Sequence, residues 1–269
     1  APFSYLLKLD PDFSNLAACA ALILGPGVPL THPKPHPVVQ AARRTGVEVI
    51  GDIELFHRAY PKIKTIGITG TNGKSTTTAL IAHILNACGK PAIACGNIGN
   101  AICATVPTPD TIMVIELSSF QLDLCPTFRP SISLHLNITP DHLDRHGTIE
   151  NYTAIKERVF DGPGIGLCGV DDTASAQMFA RKTAQNPARR MIPISVGTPP
   201  GNGVAAPPPG NGITVAPVGF LHDNTFRSDN APPFSLADLP TLRGAHNHQN
   251  AAFAYATARA CGCDPMAIH

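Results

Sequence analysis

The sequence predicts an α/β fold, a doubly wound parallel sheet that carries a phosphate-binding loop. Two observations lead there. Apolar runs of strand length alternate with helical patterns, and residues 64–75, KTIGITGTNGKS, pass from a β-branched strand through a Gly-rich turn into a helix start. Composition agrees, since 269 residues with 43% hydrophobic and 14% charged content can bury a sizeable core as one large or two modest domains.

The elements follow from periodicity and turn residues. A strand over 22–24 ends at Gly25-Pro26-Gly27, a helix over 37–45 leads to a short strand over 47–50, and a short helix covers 53–60. Pro61 with Lys62 and Lys64 then marks a domain boundary, dividing the chain into 1–61 and 62–269. Beyond it come a strand over 63–69, a helix over 75–88, and strands over 92–95, 112–117 and 132–138. A helix over 149–160, a strand over 165–170 and a helix over 174–183 continue the alternation, and the last strong helix covers 248–260 behind Arg243-Gly244. Between 199 and 238 the chain is rich in Pro, Gly and Asn, with short apolar pieces such as 212–218, and reads as β-hairpins joined by loops.

Several function classes drop out early. A formal net charge of +1 offers no electrostatic reason for a nucleic-acid or anionic-membrane partner. The longest apolar run, residues 16–24, has nine residues, against roughly 20 for a bilayer span, and no basic segment precedes it. A cytoplasmic protein is expected. The eight cysteines lie within apolar segments without C-x-x-C units, which suits small buried thiols better than a disulfide framework or a zinc site.

Gly70, Thr71, Asn72, Gly73, Lys74, Ser75 and Thr76 form the turn itself. Such a turn brings backbone N–H groups to phosphate oxygens, with Lys74 as a point charge and the Ser75 hydroxyl as a Mg²⁺ ligand at the helix N-terminus. A nucleoside triphosphate is implied. The general G-x-x-x-x-G-K-[ST] pattern wants glycine where Ile68 stands, and the upstream glycine is Gly70, so GTNGKST is a narrower variant.

In an open parallel sheet, ligands gather beyond the carboxyl ends of the strands. Here those ends carry polar chemistry: the phosphate loop, Gly96-Asn97-Ile98-Gly99, Glu116 followed by Leu117-Ser118-Ser119-Phe120-Gln121, and Asn137 followed by 139–146, TPDHLDRH. Glu116 at a buried strand end needs a partner, either Mg²⁺ or a capping or ion-pair contact. His142 is a ligand or an ordinary polar loop residue, imidazole being unusual on Mg²⁺.

GTNGKST, GNIG, NITPDHLDRHGTIENYTAIKERVF and LRGAHNHQNA together resemble the Mur ligases, ATP-dependent amide-forming enzymes of peptidoglycan synthesis. Within that family, ELSSFQLD over 116–123 and GDIELF over 51–56 are similar to the D-glutamate-adding branch. The resemblance covers most of the chain and is weakest over 185–238. It implies a central ATP-binding domain behind a partial Rossmann-like first domain, with ATP and Mg²⁺ as cofactors. The implied substrates are UDP-N-acetylmuramoyl-L-alanine and D-glutamate, used by a monomer.

Residue by residue, the resemblance puts Lys74, Ser75 and Thr76 on the ATP phosphates and one Mg²⁺, with Glu116 sharing the metal and His142 on a second Mg²⁺. Lys156 matches the lysine carbamylated in the family, a change that turns an ammonium into a carboxylate-like metal ligand; from spacing alone it is a solvated helix face. Asn97 and Ser118 correspond to contacts with the UDP-sugar, and Gly27 to a backbone contact with its uridine part. His246, Asn247 and Asn250 correspond to adenine and nearby ATP contacts, Asn247 also being a candidate N-cap.

The chemistry implied is attack of a substrate carboxylate on the γ-phosphorus of ATP, then displacement of phosphate by an amine, with no protein nucleophile. The resemblance also implies that the chain starts inside the first domain and stops before a C-terminal domain, so these residues alone are expected to have weak ligase activity at most. Gly25 stands where the family usually has Ser before Pro-Gly. A folylpolyglutamate-type or sister ligase shares GTNGKST but not ELSSFQLD, while a small-molecule kinase or a nucleotide-binding module without turnover is the other reading that the loop allows.

Overall fold

The computed structural model describes residues 13, 15–195, 220–222, 225–228, 231–235 and 245–268. The first elements are β1 (Ala21–Ile23), α1 (Pro37–Thr45), β2 (Glu48–Ile50) and α2 (Asp52–Ala59), with β1 and β2 paired in parallel. Next come β3 (Lys64–Thr69), α3 (Lys74–Ala87), β4 (Ala92–Gly96), β5 (Ile112–Glu116), α4 (Ser119–Asp123) and β6 (Ile132–His135). The chain continues through α5 (Leu143–His146), α6 (Ile149–Glu157), a 3₁₀ turn over Arg158–Phe160, β7 (Ile165–Gly169), α7 (Thr173–Gln185) and β8 (Met191–Ile194). After the antiparallel meander of β9 (Phe220–His222), β10 (Thr225–Ser228) and β11 (Ala231–Ser235), α8 (Ala245–Ala260) and α9 (Pro265–Ile268) close the described chain.

The central sheet has six parallel strands in the order β4-β5-β3-β6-β7-β8. From β3 the chain moves out to β4, returns with β5 beside β3, and crosses to the far side with β6. Strand order therefore reverses next to β3, the switch point at which ligands bind in open α/β sheets. Register sharpens this: Ile68 and Gly96 both lie level with Glu116, so three strand ends meet at one height.

Side-chain alternation divides the core into two layers. Ile112 and Val114 pack with Ile66, Ile68, Ile81 and Leu85 on the face covered by α3 and α8, whereas Met113 and Ile115 pack with Leu122, Val159, Met178 and Phe179 on the other. Both faces are apolar, which is why these strands read as continuous apolar runs. Ala252, Ala254, Ala256 and Ala258 keep α8 thin enough to lie close on the sheet.

The second face also takes Ile53 and Phe56, so α2, which precedes the boundary expected at Pro61, packs into the core of the larger sheet. Glu54 on the same helix is fully buried; it accepts from Arg58 Nε at 2.8 Å and from the Thr127 and Phe128 N–H groups at 3.0 Å each. Burial pushes its carboxyl up, but the hydrogen bonds from Thr127, Arg58 and Phe128 outweigh burial and hold it below the usual range.

Most expected elements appear within a residue or two of their expected ends. The expected strand over 132–138 is shorter, because pairing in the sheet ends at His135 and the next residues turn to the phosphate loop: Leu136 N–H donates to Thr69 O and Thr71 N–H to Asn137 O, both at 2.9 Å. The hairpin expectation for 199–238 is met at β9–β11; residues 199–219, with the apolar piece 212–218, lie outside the described residues. Three short helices (α4, α5, α9) and strand β8 were not expected. Helices of four or five residues are too short to show a 3.6 period.

Candidate functional site around the phosphate loop

The loop after β3 has the geometry of a phosphate cradle. Gly73 caps α3 at φ 86°, and a Cβ there would stand 2.4 Å from Asn250 Oδ1; at Gly70, φ 149°, it would meet Leu136 Cβ at 2.9 Å. Glycine is therefore required at both positions by conformation and by space. Because no side chain caps α3, the N–H groups of its first turn keep their hydrogen-bonding capacity, at the positive end of a 14-residue helix. Lys74 folds back over the loop, its Nζ donating to Gly70 O at 3.1 Å and Thr71 O at 2.8 Å. Burial lowers its pKa while Glu116 and Asp141 pull it up.

Glu116 ends β5 beneath this loop, 2% exposed. Ser75 Oγ donates to its Oε2 at 2.8 Å and Asn97 Nδ2 to its Oε1 at 2.9 Å, so two of the expected site residues meet a third. Asn97 is positioned by Gly96, whose φ of 94° carries the chain past the Glu116 carbonyl; a Cβ there would lie 2.3 Å from that oxygen.

Lys156 projects from α6 into the same region. It is 1% exposed, lies 4.7 Å from the Tyr152 ring centroid, and donates to Gly70 O at 2.8 Å and Thr69 Oγ1 at 3.3 Å. No ion pair neutralises it among the described residues. Burial lowers its pKa to about 7, with the positive charge of Lys74 adding to the shift. The spacing of α6 suggested a solvated face at this position; instead the amine is inside, because Tyr152 and Lys156, one turn apart, both face the loop.

A family model described as Mur ligase middle domain matches residues 68–207, from the end of β3 through the loop, Glu116 and Lys156. The chain belongs to the Mur ligase family. Curated relatives named UDP-N-acetylmuramoylalanine--D-glutamate ligase are similar over nearly its whole length. The one from Nitrobacter hamburgensis is 45% identical over 254 residues, 90% of this chain and 51% of the relative. The one from Chelativorans sp. is 46% identical over 272 residues, 96% and 53% respectively. The chain thus spans about half the length of these relatives. Solved structures share the fold at low identity. A UDP-N-acetylmuramoyl-L-alanyl-D-glutamate–2,6-diaminopimelate ligase matches with a TM-score of 0.60 at 22% identity, covering 85% of this chain and 55% of that one. A UDP-N-acetylmuramate:L-alanyl-γ-D-glutamyl-meso-diaminopimelate ligase from Neisseria meningitides matches with a TM-score of 0.59 at 17%, covering 97% and 86%.

Mur ligases depend on ATP and typically on Mg²⁺, and the donors here fit both. A hydroxyl and a carboxylate, Ser75 and Glu116, are hard oxygen ligands side by side at a helix N-terminus, the sparse protein set that Mg²⁺ accepts when waters and phosphates complete its shell. Among the described residues no group of three or more His, Cys, Asp or Glu stands in metal-holding geometry.

The remaining expected residues fall in different places. His142 caps α5 in the left-handed region, φ 51°, with its side chain 48% exposed, Nε2 3.5 Å from Asp141 Oδ2 and its ring 5.1 Å from that of Phe120. Thr76 is exposed on the first turn of α3, and Asn72 at the loop tip. Ser118 is the N-cap of α4 in a capping box with Gln121, so its hydroxyl already has a structural task. The Gly27 carbonyl accepts from Arg145 Nη1 at 3.2 Å. Asn250 is buried below the loop, where its Oδ1 accepts from Thr77 Oγ1 at 3.1 Å and its Nδ2 donates to Asn247 Oδ1 at 3.3 Å; His246 is exposed at the start of α8.

Sequence reasoning missed three contributors. Arg145 also donates to Pro26 O at 3.4 Å and lies 4.5 Å over the Phe120 ring, joining the Gly25–Gly27 turn to the ELSSFQLD segment. His146, buried, pairs with Ser119 Oγ at 2.9 Å, and burial together with the Lys156, His142 and Arg145 charges lowers its pKa to about 4. Tyr152 OH lies 3.3 Å from Thr71 Oγ1. For Arg145 a signal existed, since it sits one helical turn after His142.

Proposed function

We propose that this chain is the nucleotide-binding core of a ligase that joins D-glutamate to UDP-N-acetylmuramoyl-L-alanine at the expense of ATP, through an acyl phosphate. Supporting this are the name shared by relatives about 45% identical to the chain, and the ELSSFQLD segment directly after Glu116. The observation that carries it is Lys156: an amine buried beside the phosphate loop, with no ion-pair partner among the described residues, is in the right state to become an anion.

In this reading the first-turn N–H groups of α3 and the Lys74 ammonium hold the triphosphate, while His246, Asn247 and Asn250 lie toward its adenine end. Ser75, Glu116, His142 and carbamylated Lys156 hold Mg²⁺, which when bound neutralises phosphate charge as the substrate carboxylate approaches. Carbamylation needs only the unprotonated Lys156 amine and CO₂: nitrogen attacks carbon, one C–O π bond opens, one proton leaves the nitrogen, and a neutral amine becomes a carbamate anion. Asn97, Ser118 and Gly27 face the UDP-sugar. No nucleic-acid or membrane partner is required, the reaction belongs in the cytoplasm, and one copy of the protein suffices. No helix among the described residues is long and apolar enough to cross a membrane.

The test is phosphate release by the full-length protein with ATP, Mg²⁺, UDP-N-acetylmuramoyl-L-alanine and each candidate amino acid in turn. Release that depends on D-glutamate is expected, and a short carboxylate such as acetate should restore part of the activity of Lys156→Ala. ADP formation that ignores the amino acid, with the phosphoryl group kept on a product instead of released, would point to a kinase and overturn the proposal.

A further inference from the structure

Asn137 lies just past β6, and its side-chain amide pairs with both flanks of one residue in the phosphate loop. Its Oδ1 accepts from the Asn72 N–H at 2.9 Å, and its Nδ2 donates to the Asn72 carbonyl at 3.1 Å. The neighbouring chain is joined in the same sense: Thr71 N–H donates to Asn137 O at 2.9 Å and Thr139 N–H to Thr71 Oγ1 at 3.0 Å. The second Nδ2 hydrogen faces Gln249 Oε1 at 3.5 Å, and Gln249 Nε2 donates to Asp171 Oδ2 at 2.9 Å, so the contact continues to α8 and the end of β7.

Peptide planarity gives these two bonds reach. In a trans peptide the C=O and the following N–H point in opposite directions. The Asn72 carbonyl shares its peptide with the Gly73 N–H, so holding that carbonyl toward Asn137 turns the Gly73 N–H away from it, at the capping position of α3. The Asn72 N–H shares its peptide with the Thr71 carbonyl, so holding that N–H toward Asn137 turns the Thr71 carbonyl to the other side, where it accepts from Lys74 Nζ at 2.8 Å. One side chain thus sets the two peptides that present a donor and the Lys74 charge. Only a carboxamide supplies a donor and an acceptor in one plane at this length, since a carboxylate lacks the donor and a hydroxyl the reach.

We propose that Asn137 is a positioning residue for triphosphate binding, acting through the peptides on either side of Asn72. The inference rests on the nucleotide-binding reading of the loop. It assigns Asn137 control over affinity for the phosphates, with no contact to the nucleoside or to the sugar substrate.

Calorimetry on the full-length protein, with Mg²⁺ and a non-hydrolysable ATP analogue, and separately with adenosine, tests it. In Asn137→Ala, loss of two hydrogen bonds should weaken the analogue about 10- to 100-fold, while adenosine affinity changes little. Asn137→Gln, which keeps donor and acceptor on a longer stem, should regain part of the loss, and Asn137→Ser should show the same selective loss with a milder disturbance of the fold. Equal weakening of both ligands together with a lower melting temperature, in both the Ala and Ser variants, would mean a merely structural role and overturn the inference. Unchanged analogue binding in Asn137→Ala against tight binding by the wild type would overturn it alone, whereas a wild type that does not bind the analogue would remove the nucleotide reading and the inference together.

Discussion

At the scale of single residues, Lys156 is the side chain whose state matters most. Its pKa is lowered to about 7 in the folded chain against an ordinary 10.5, first by burial and then by Lys74. Between those values the unfolded chain binds more protons than the folded one, so stability rises with pH across that window, and the cost of burying the charge is fully present below it. In CO₂-free buffer, chemical denaturation between pH 7 and 10 should show a rising stability, at most about 1.4 kcal/mol per pH unit from this one proton. Lys156→Met should flatten that rise and be more stable than the wild type at pH 7. An unchanged pH slope in the variant would show that another group titrates there. The sequence named Lys156 through its motif but could not foresee its burial, because nothing in the pattern of α6 shows that this face lies against Thr69 and Gly70. Glu116 was more legible, since a carboxylate closing an apolar strand is conspicuous in any sequence.

Individual elements explain why the loop holds its shape. The turn from β3 into α3 requires glycine twice, and at Gly73 the left-handed backbone coincides with an Asn250 oxygen in the space where a Cβ would go. Gly73→Ala should lower stability by about 1–3 kcal/mol, read by denaturant titration, and weaken triphosphate binding. Full affinity and stability in that variant would mean that the loop has room the geometry denies it. The strand, turn and helix order of this element was readable from twelve residues. Its supports were not: Asn137 is 65 positions from Asn72, and Asn250 is 173 from Thr77. Asn137 meets the loop because parallel strands align their ends, and Asn250 meets Thr77 because α8 packs beside α3 on the same face; both depend on the order of the sheet and not on any one segment. Short helices such as α5 were hidden for the opposite reason, being too small to show a period although they carry His142 and Arg145.

For the whole molecule, the question is how the first segment communicates with the sheet. Among the described residues, side chains from both parts join them. Glu54 and Arg58 on α2 tie the Thr127–Phe128 backbone to Glu48 on β2, and Arg145 on α5 ties the Gly25–Gly27 turn to Phe120. If that turn meets the uridine part of the substrate, Arg145→Met should raise KM for the UDP-sugar about 5- to 20-fold while KM for ATP stays within twofold, and Arg145→Lys should recover part of the difference. Equal changes in both KM values would assign Arg145 to general stability. The composition break at Pro61 was visible in the sequence, yet α2 packs across it, because Ile53 and Phe56 find their apolar partners in the larger core.

The central claim is that a substrate carboxylate takes up the γ-phosphoryl group before an amine displaces it. It is tested most directly by labelling the carboxylate of UDP-N-acetylmuramoyl-L-alanine with ¹⁸O and following the label by mass spectrometry in the full-length protein with ATP, Mg²⁺ and D-glutamate. One ¹⁸O atom in each released phosphate, in step with amide formation, is the predicted result. Phosphate free of label, or labelled phosphate formed without an amide product, would contradict the account.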